Sequence, residues 1–419
     1  MTEKLFQYIW QFGFFNRNNL RTETEEEIKI IHPGALNVNE GPDFLEARIW
    51  IGDTLFAGSI ELHIKTSDWQ KHGHSSDANY NNVVLHVVYE HDIKTNYGSP
   101  VLELQPHISY LLLEQYEMLM NTRSFVPCVH SLSSIKEIVW IAWKERLVAE
   151  RLTRKAQRIF AMLHENNNYW EETFWWLLAR NFGGTVNAEA FESIARTLPV
   201  NLISRHKSNI HQLEGLLLGQ AHLLHENFTD DYPKLLEREY EFLKSKYGLK
   251  PNPIPVNFLR MRPGNFPTVR LAQLAQLIHA SSHLFAKVLA TEDIKIFKKS
   301  LQVVANDYWH YHYRIDEESS FKPKRLGEET INNILINTIV PMLFAYGLHH
   351  KDEDMKSKAL LWLSQIKSEH NVITKGFMSL SVANRFAYDS QALIELKNEY
   401  CNGKKCLQCA VGNSLLKQV

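Results

Sequence analysis

The chain has 419 residues, 44% of them hydrophobic and 22% charged, with a formal net charge of −1. That balance excludes a disordered polyelectrolyte and supplies no global attraction to nucleic acid, so any such binding must come from a local basic face. No unbroken run of about 18 or more apolar residues is present, so a membrane span is not expected, and the start, MTEKLFQYIWQFGFF, lacks the layout of a secretory signal. Four cysteines, three of them crowded into 401–409, suit a reduced compartment, so the expectation is a soluble cytoplasmic protein with no membrane partner.

Residues 3–15 read as a short aromatic-rich helix. From about 20 to 105 the pattern has period two. ARIWIG and TLFAGSIELHIK, joined by a Gly-Asp turn, predict a hairpin, NVVLHVVYEH (82–91) predicts a buried strand, and PVLELQP (100–106) a shorter one. Beyond 107 the pattern is helical. A long amphipathic helix is predicted over 134–163 with Ser133 or Ser134 as N-cap, and further helices include 268–289 and 328–347. The proline-rich 249–267 and the stretch 312–327 read as loops. The expected fold class is α+β: a β-rich domain over 1–107 built on a mixed sheet, then a large all-α region over 108–419 that carries the C-terminal cysteines.

In IELHIK, strand alternation places Glu61, His63 and Lys65 on one face and Ile60, Leu62 and Ile64 on the other. Asp43 follows Pro42 at the entry to the preceding strand, so the hairpin brings Asp43 near Glu61. Two adjacent carboxylates raise each other's proton affinity unless a cation lies between them. Mg²⁺ or Mn²⁺ is the expected ion, with His63 or Lys65 orienting or deprotonating a water for attack on phosphorus. Glu40, three residues before Asp43, is a further candidate ligand or substrate contact. The competing reading is a solvated strand face with ordinary cross-strand pairing.

GPDF followed by IELHIK resembles the PD-(D/E)xK nuclease superfamily, as does the order of leading helix, acidic hairpin, irregular segment and further strand. The resemblance implies a restriction-endonuclease-like domain, Asp43 and Glu61 as metal ligands, and phosphodiester hydrolysis in nucleic acid. The chain departs from that pattern at His63, which stands where the superfamily has lysine, with lysine arriving at Lys65.

The continuation TSDWQKHGHSSDANY adds His72 and His74, read as substrate-positioning groups above the carboxylates. An alternative gathers His63, His72, His74 and His86 into a zinc hydrolase site. In the helical region, Arg151, Arg154, Lys155 and Arg158 form a row that could follow a phosphate backbone. The interleaved Glu145 and Glu150 favour a solvated helix with i,i+4 pairs instead. Arg260, Arg262 and Arg270 surround a Pro-Gly-Asn turn that opens a helix, a setting for a phosphate contact or for a structural anchor. Cys401, Cys406 and Cys409, with Cys128 upstream, could hold zinc or an iron–sulfur cluster; the alternative is free buried thiols. One cysteine upstream of three resembles, in layout only, the iron–sulfur staple of some nucleases of the same superfamily.

Across most of the chain, NEGPDF, GSIELHIKTSDW, NVVLHVVYE, RPGNFPTVRLAQLA, YDSQALIELKNEYC and CLQCAVG resemble a bacterial family without an assigned function. The expected function is that of a metal-dependent nuclease-like protein. The alternative is a catalytically inactive nucleic-acid-binding or scaffold protein on the same fold.

Overall fold

Thr2 opens the first helix by accepting the Leu5 N–H on its hydroxyl at 3.3 Å, and Gly13 closes it in the left-handed region. This helix, α1 (Glu3–Phe12), buries Leu5, Phe6, Tyr8, Ile9 and Trp10. The computed structural model describes all residues except 95–97, 225–226, 260, 282 and 418–419.

Strands β1 (Ile28–His32), β2 (Ala35–Leu36), β3 (Phe44–Ile51), β4 (Thr54–Lys65), β5 (Val83–Glu90) and β6 (Val101–Glu103) form one sheet. Its order is β1-β3-β4-β5-β6, with β2 also paired to β3. The hairpin read from the sequence is present: β3 and β4 are antiparallel and turn over Gly52-Asp53, with Gly52 at φ 53°. β1 is antiparallel to β3, whereas β5 is parallel to β4 and β6 parallel to β5, so the sheet is mixed as expected. The backbones of β4 and β5 approach closely at Gly58. A Cβ there would stand 2.4 Å from Val84 Cγ1 and 2.6 Å from the Asn82 carbonyl, so the close approach requires glycine.

The middle of β4 departs from the amphipathic expectation, because Gly58–His63 are buried on both faces. Ile60 and Leu62 join Leu5, Phe6 and Ile9 of α1 in one core cluster. The opposite face, carrying Glu61 and His63, is covered by the connection to β5, which starts with the short helix α2 (Asp68–Lys71) and the buried Trp69.

The chain forms two compact units, Met1–Trp143 with Leu396–Val419, and Lys144–Glu395. The first therefore extends past 107 through helix α3 (Tyr110–Asn121) and takes in the three C-terminal cysteines, which the sequence pattern alone places in the helical region. Helix α4 (Glu137–Glu165) starts later than 134, because Leu132–Ser134 forms a separate 3-10 turn.

In the second unit, the helix expected over 268–289 is two, Pro267–Ala280 and Leu284–Ala290, separated at His283 with φ 49°. The expected loop 312–327 contains a small hairpin, β7 (His312–Arg314) and β8 (Glu317–Glu318). The helical stretch Glu328–His350 is long and apolar enough to cross a membrane, and 78% of its most apolar window is buried inside the protein. The cationic row of α4 is occupied by partners. Arg151 and Arg154 flank the buried Glu395, Lys155 donates to Asn337 and Gln391, and Arg158 lies 3.4 Å from Glu192.

One carboxyl in this unit makes stability depend on pH. Glu214, on the helix Ile210–Gln220, is fully buried and accepts from Tyr232 Oη at 2.9 Å and Trp309 Nε1 at 2.8 Å. Burial pushes its pKa up to about 7 from 4.5. Between these values the unfolded chain ionises while the folded one holds its proton, so stability is full below about pH 4.5 and falls as pH rises towards 7. Denaturant unfolding from pH 5 to 8 should show a decline on the order of 3 kcal/mol. Glu214→Gln should lack this component of the decline; an unchanged pH slope would remove Glu214 as its source.

Candidate metal and carboxylate site

The parallel register sets Glu61 opposite His86 and His63 opposite Val88, so Glu61, His63 and His86 share one face of β4 and β5. Asp43 arrives from the start of β3 and is tied to β4 by two bonds. Its backbone N–H donates to Glu61 Oε2 at 2.9 Å, and the Leu62 N–H donates to Asp43 Oδ2 at 3.1 Å. Gln7 of α1 donates to Asp43 Oδ1 at 2.7 Å. The two acids converge as the hairpin implied, with Glu61 buried and Asp43 half-buried.

Over this face the 66–82 connection folds back. Gly73, with φ 74°, takes the left-handed turn between His72 and His74 that returns both imidazoles to His63. His63 Nε2 lies 3.0 Å from His72 Nδ1, and its Nδ1 lies 2.9 Å from His86 Nε2. Glu61 Oε1 stands 3.6 Å from His63 Nε2 and 3.4 Å from His74 Nε2. The His74 Nε2 atom is buried and makes no hydrogen bond, and the same holds for His86 Nδ1. Tyr80 stacks on His74 with centroids 3.8 Å apart, and Trp69 closes the inner side against His86 at 5.0 Å.

His63, His72 and His74 each offer a ligand atom, and these atoms lie within 4.8 Å of one another. Among the described residues no other trio of His, Cys, Asp or Glu atoms does so. Ligands about 2.1 Å from a transition ion stand roughly 3.0–3.4 Å apart, which the His63–His72 separation matches. The His86 contact would fix the His63 ring, as second partners of metal-bound histidines do.

Burial sets the charges. It pushes Glu61 up to about 8, with the Asp43 carboxylate as the next cause, and Asp43 up to about 6. Burial and neighbouring imidazoles push His63 and His86 down to about 3, so these rings are neutral at pH 7 and free to ligate. His72 is exposed, which puts it on the rim of the cluster.

The remaining sequence candidates lie elsewhere. Lys65 does not join the patch: its Nζ pairs with Glu90 at 3.2 Å, because the strand leaves the buried stretch before reaching it. Glu40 is exposed, and its carbonyl accepts from Asn37. Arg262 and Arg270 belong to the helical unit. Arg262 is exposed, while the Arg270 guanidinium bonds Asn265, Gln273 and Thr330, and burial lowers its pKa to about 10. Arg270 is thus the structural anchor among the two readings, and Arg260 lies outside the described residues. Sequence reasoning does not single out Gln7, Trp69 or Tyr80. Trp69 and Tyr80 bracket the His-Gly-His segment, and that bracketing is the available signal.

The chain belongs to a family described as a protein of unknown function (DUF2851). The family model matches residues 3–372, which include the whole histidine and carboxylate cluster and Cys128, and end ahead of the other three cysteines. No curated protein and no solved structure matches the chain.

If the ring nitrogens serve an ion, calorimetric titration of chelator-treated protein with Zn²⁺ or Mn²⁺ should show one saturable site at this cluster. His72→Ala, at the exposed rim, should weaken it by more than about 100-fold. His86→Gln, which removes only the support of His63, should weaken it by about 10–100-fold. Equal affinities in all three proteins would refute metal binding here.

Proposed function

We propose that the protein is a metal-dependent hydrolase that cleaves phosphodiester bonds in nucleic acid at the Asp43–Glu61–histidine cluster. One observation carries the reading: three imidazoles with their ligand atoms within 4.8 Å of one another lie beside the buried Glu61 carboxyl and the half-buried Asp43, both of raised proton affinity. Such a set is stabilised by a dication and not by water alone.

The imidazole-rich donors favour Zn²⁺ or Mn²⁺ over Mg²⁺. His63, His72 and His74 would hold the ion, which supplies Lewis acidity and an acidified water. Glu61 borders the trio and is placed to take a proton from a water. Asp43, fixed by Gln7 and by the Leu62 N–H, keeps Glu61 in position through its own backbone N–H. The succession of helix α1, the antiparallel β1, β3 and β4, and then β5 parallel to β4 supports a restriction-endonuclease-like type for this domain. The phosphodiester class rests on that likeness together with the placement of Asp43 and Glu61.

One observation favours the second reading, a nucleic-acid-binding or scaffold protein without turnover: Lys65 is paired with Glu90 and is not aimed at the acids. Cleavage assays on labelled single-stranded, duplex and branched DNA and RNA, with Zn²⁺ or Mn²⁺ added, separate the two. Cleavage that falls at least about 100-fold in Asp43→Asn and in Glu61→Gln supports the hydrolase. Salt-sensitive binding with no cleavage of any substrate overturns it in favour of the second reading.

A further inference from the structure

Strand alternation lets the face that carries the histidine and carboxylate cluster be followed beyond it. On β4 that face is Leu55, Ala57, Ser59, Glu61 and His63. Its exposure changes abruptly along the row: Ser59, Glu61 and His63 are buried, whereas Ala57 is exposed and Leu55 is 50% exposed. Residues paired across neighbouring strands face the same way, so two cross-strand rows widen the uncovered half. Lys29 of β1 pairs with Trp50 of β3, which pairs with Leu55, and His32 pairs with Arg48, which pairs with Ala57. All six are exposed.

These two rows hold cations and an aromatic ring and no acid. Lys29 and Arg48 make no ion pair among the described residues, whereas the cations of the α4 row are taken up by partners. His32 Nδ1 accepts the Gly34 N–H at 3.1 Å, which leaves the proton of the neutral ring on Nε2 as a further donor. Trp50 stands in its row between Lys29 and Leu55, so its ring has a cation on one side and an apolar neighbour on the other. The acids nearest in sequence stand outside the paired rows, Glu46 in the bulge of β3 and Glu27 and Asp53 at the turn end of the hairpin.

Shape and charge select the occupant. A duplex keeps its bases stacked on one another and offers an open sheet only its backbone. A single strand can lay a base on an exposed indole and its phosphates on flanking cations. A second copy of the chain meeting this face would set like charges against each other. At about 3.3 Å per residue, Ala57 stands roughly 13 Å and Leu55 roughly 20 Å along β4 from Glu61, the reach of a few nucleotides. We propose that the exposed half of the β1–β3–β4 face is a single-strand platform. Trp50 stacks a base, Lys29 and Arg48 hold the adjoining phosphates, and the strand runs on along β4 to the histidine cluster. This inference rests on the reading of that cluster as the site of phosphodiester cleavage, and it narrows the substrate to single-stranded nucleic acid.

The test titrates the full chain, in chelator so that nothing is cleaved, with fluorescein-labelled oligothymidylate and oligouridylate of about a dozen nucleotides and with a duplex of equal length. At least one single strand should bind more tightly than the duplex. Trp50→Ala should weaken that binding by about 5- to 100-fold, and Trp50→Phe should restore most of it. Lys29→Ala combined with Arg48→Ala should flatten the slope of log affinity against log salt by about 1.4, the share of two phosphate contacts. Melting temperatures should stay unchanged, since all three side chains are exposed. Binding indifferent to these substitutions, preference for the duplex, or no binding at low salt overturns the platform. So does a dimer that Trp50→Ala dissociates while no oligonucleotide binds. The two readings fail separately: cleavage that needs Glu61 but keeps its KM in Trp50→Ala removes the platform alone, whereas binding that needs Trp50 with no cleavage of any substrate removes the hydrolase alone.

Discussion

Two hydrogen bonds between the entry to β3 and the middle of β4 hold the rest of the site in place. The Asp43 amide gives its proton to the Glu61 carboxyl, and the Leu62 amide gives its proton to the Asp43 carboxylate. Each acid thereby anchors the backbone that carries the other. The exchange substitutes protein donors for water where α1 and the 66–82 connection have closed over the strand, so burial of two acids does not leave their oxygens without partners. It also fixes which edge of Glu61 remains for the histidines, since Oε2 is engaged and Oε1 points to His63 and His74.

Around that exchange the electrostatics favour neutrality. Glu61 pushed up and His63 and His86 pushed down leave these three groups neutral at pH 7, beside an Asp43 carboxylate raised only to about 6. Neutral rings are competent ligands, and a carboxyl reluctant to ionise is the group most altered by an incoming cation. The orphaned His74 Nε2 adds a polar atom with no hydrogen-bond partner in a dry place. Native proteins rarely tolerate such atoms without a purpose.

Parts of this arrangement are legible in the sequence for definite reasons. Gly52-Asp53 between alternating segments marks the hairpin, and Pro42-Asp43 with Glu61 marks the convergence, because turn chemistry and period two are local properties. Lys65 escapes such a reading because alternation assigns a face but not the point at which a strand emerges from cover. The face of His63 has the pattern of a solvated one, whereas a helix and a folded-back connection bury both sides of β4. Arg270 shows a similar limit: a basic residue at a helix start looks the same whether its guanidinium awaits an anion or is bonded to Asn265, Gln273 and Thr330. The unit boundary is invisible in the sequence because the return of residues 396–419 is a long-range contact with no local mark.

That return bears on biosynthesis. A ribosome delivers the six strands early, yet the segment Leu396–Val419 emerges only after the intervening helices have been made. Pairings across such a separation form late and slowly. The nascent sheet must therefore wait, with the core surface destined for Cys406 and Leu416 uncovered, until Leu396–Val419 has been made. Loss of Leu396–Val419 would injure the sheet-bearing unit, whose other residues lie some 250 positions earlier in the chain.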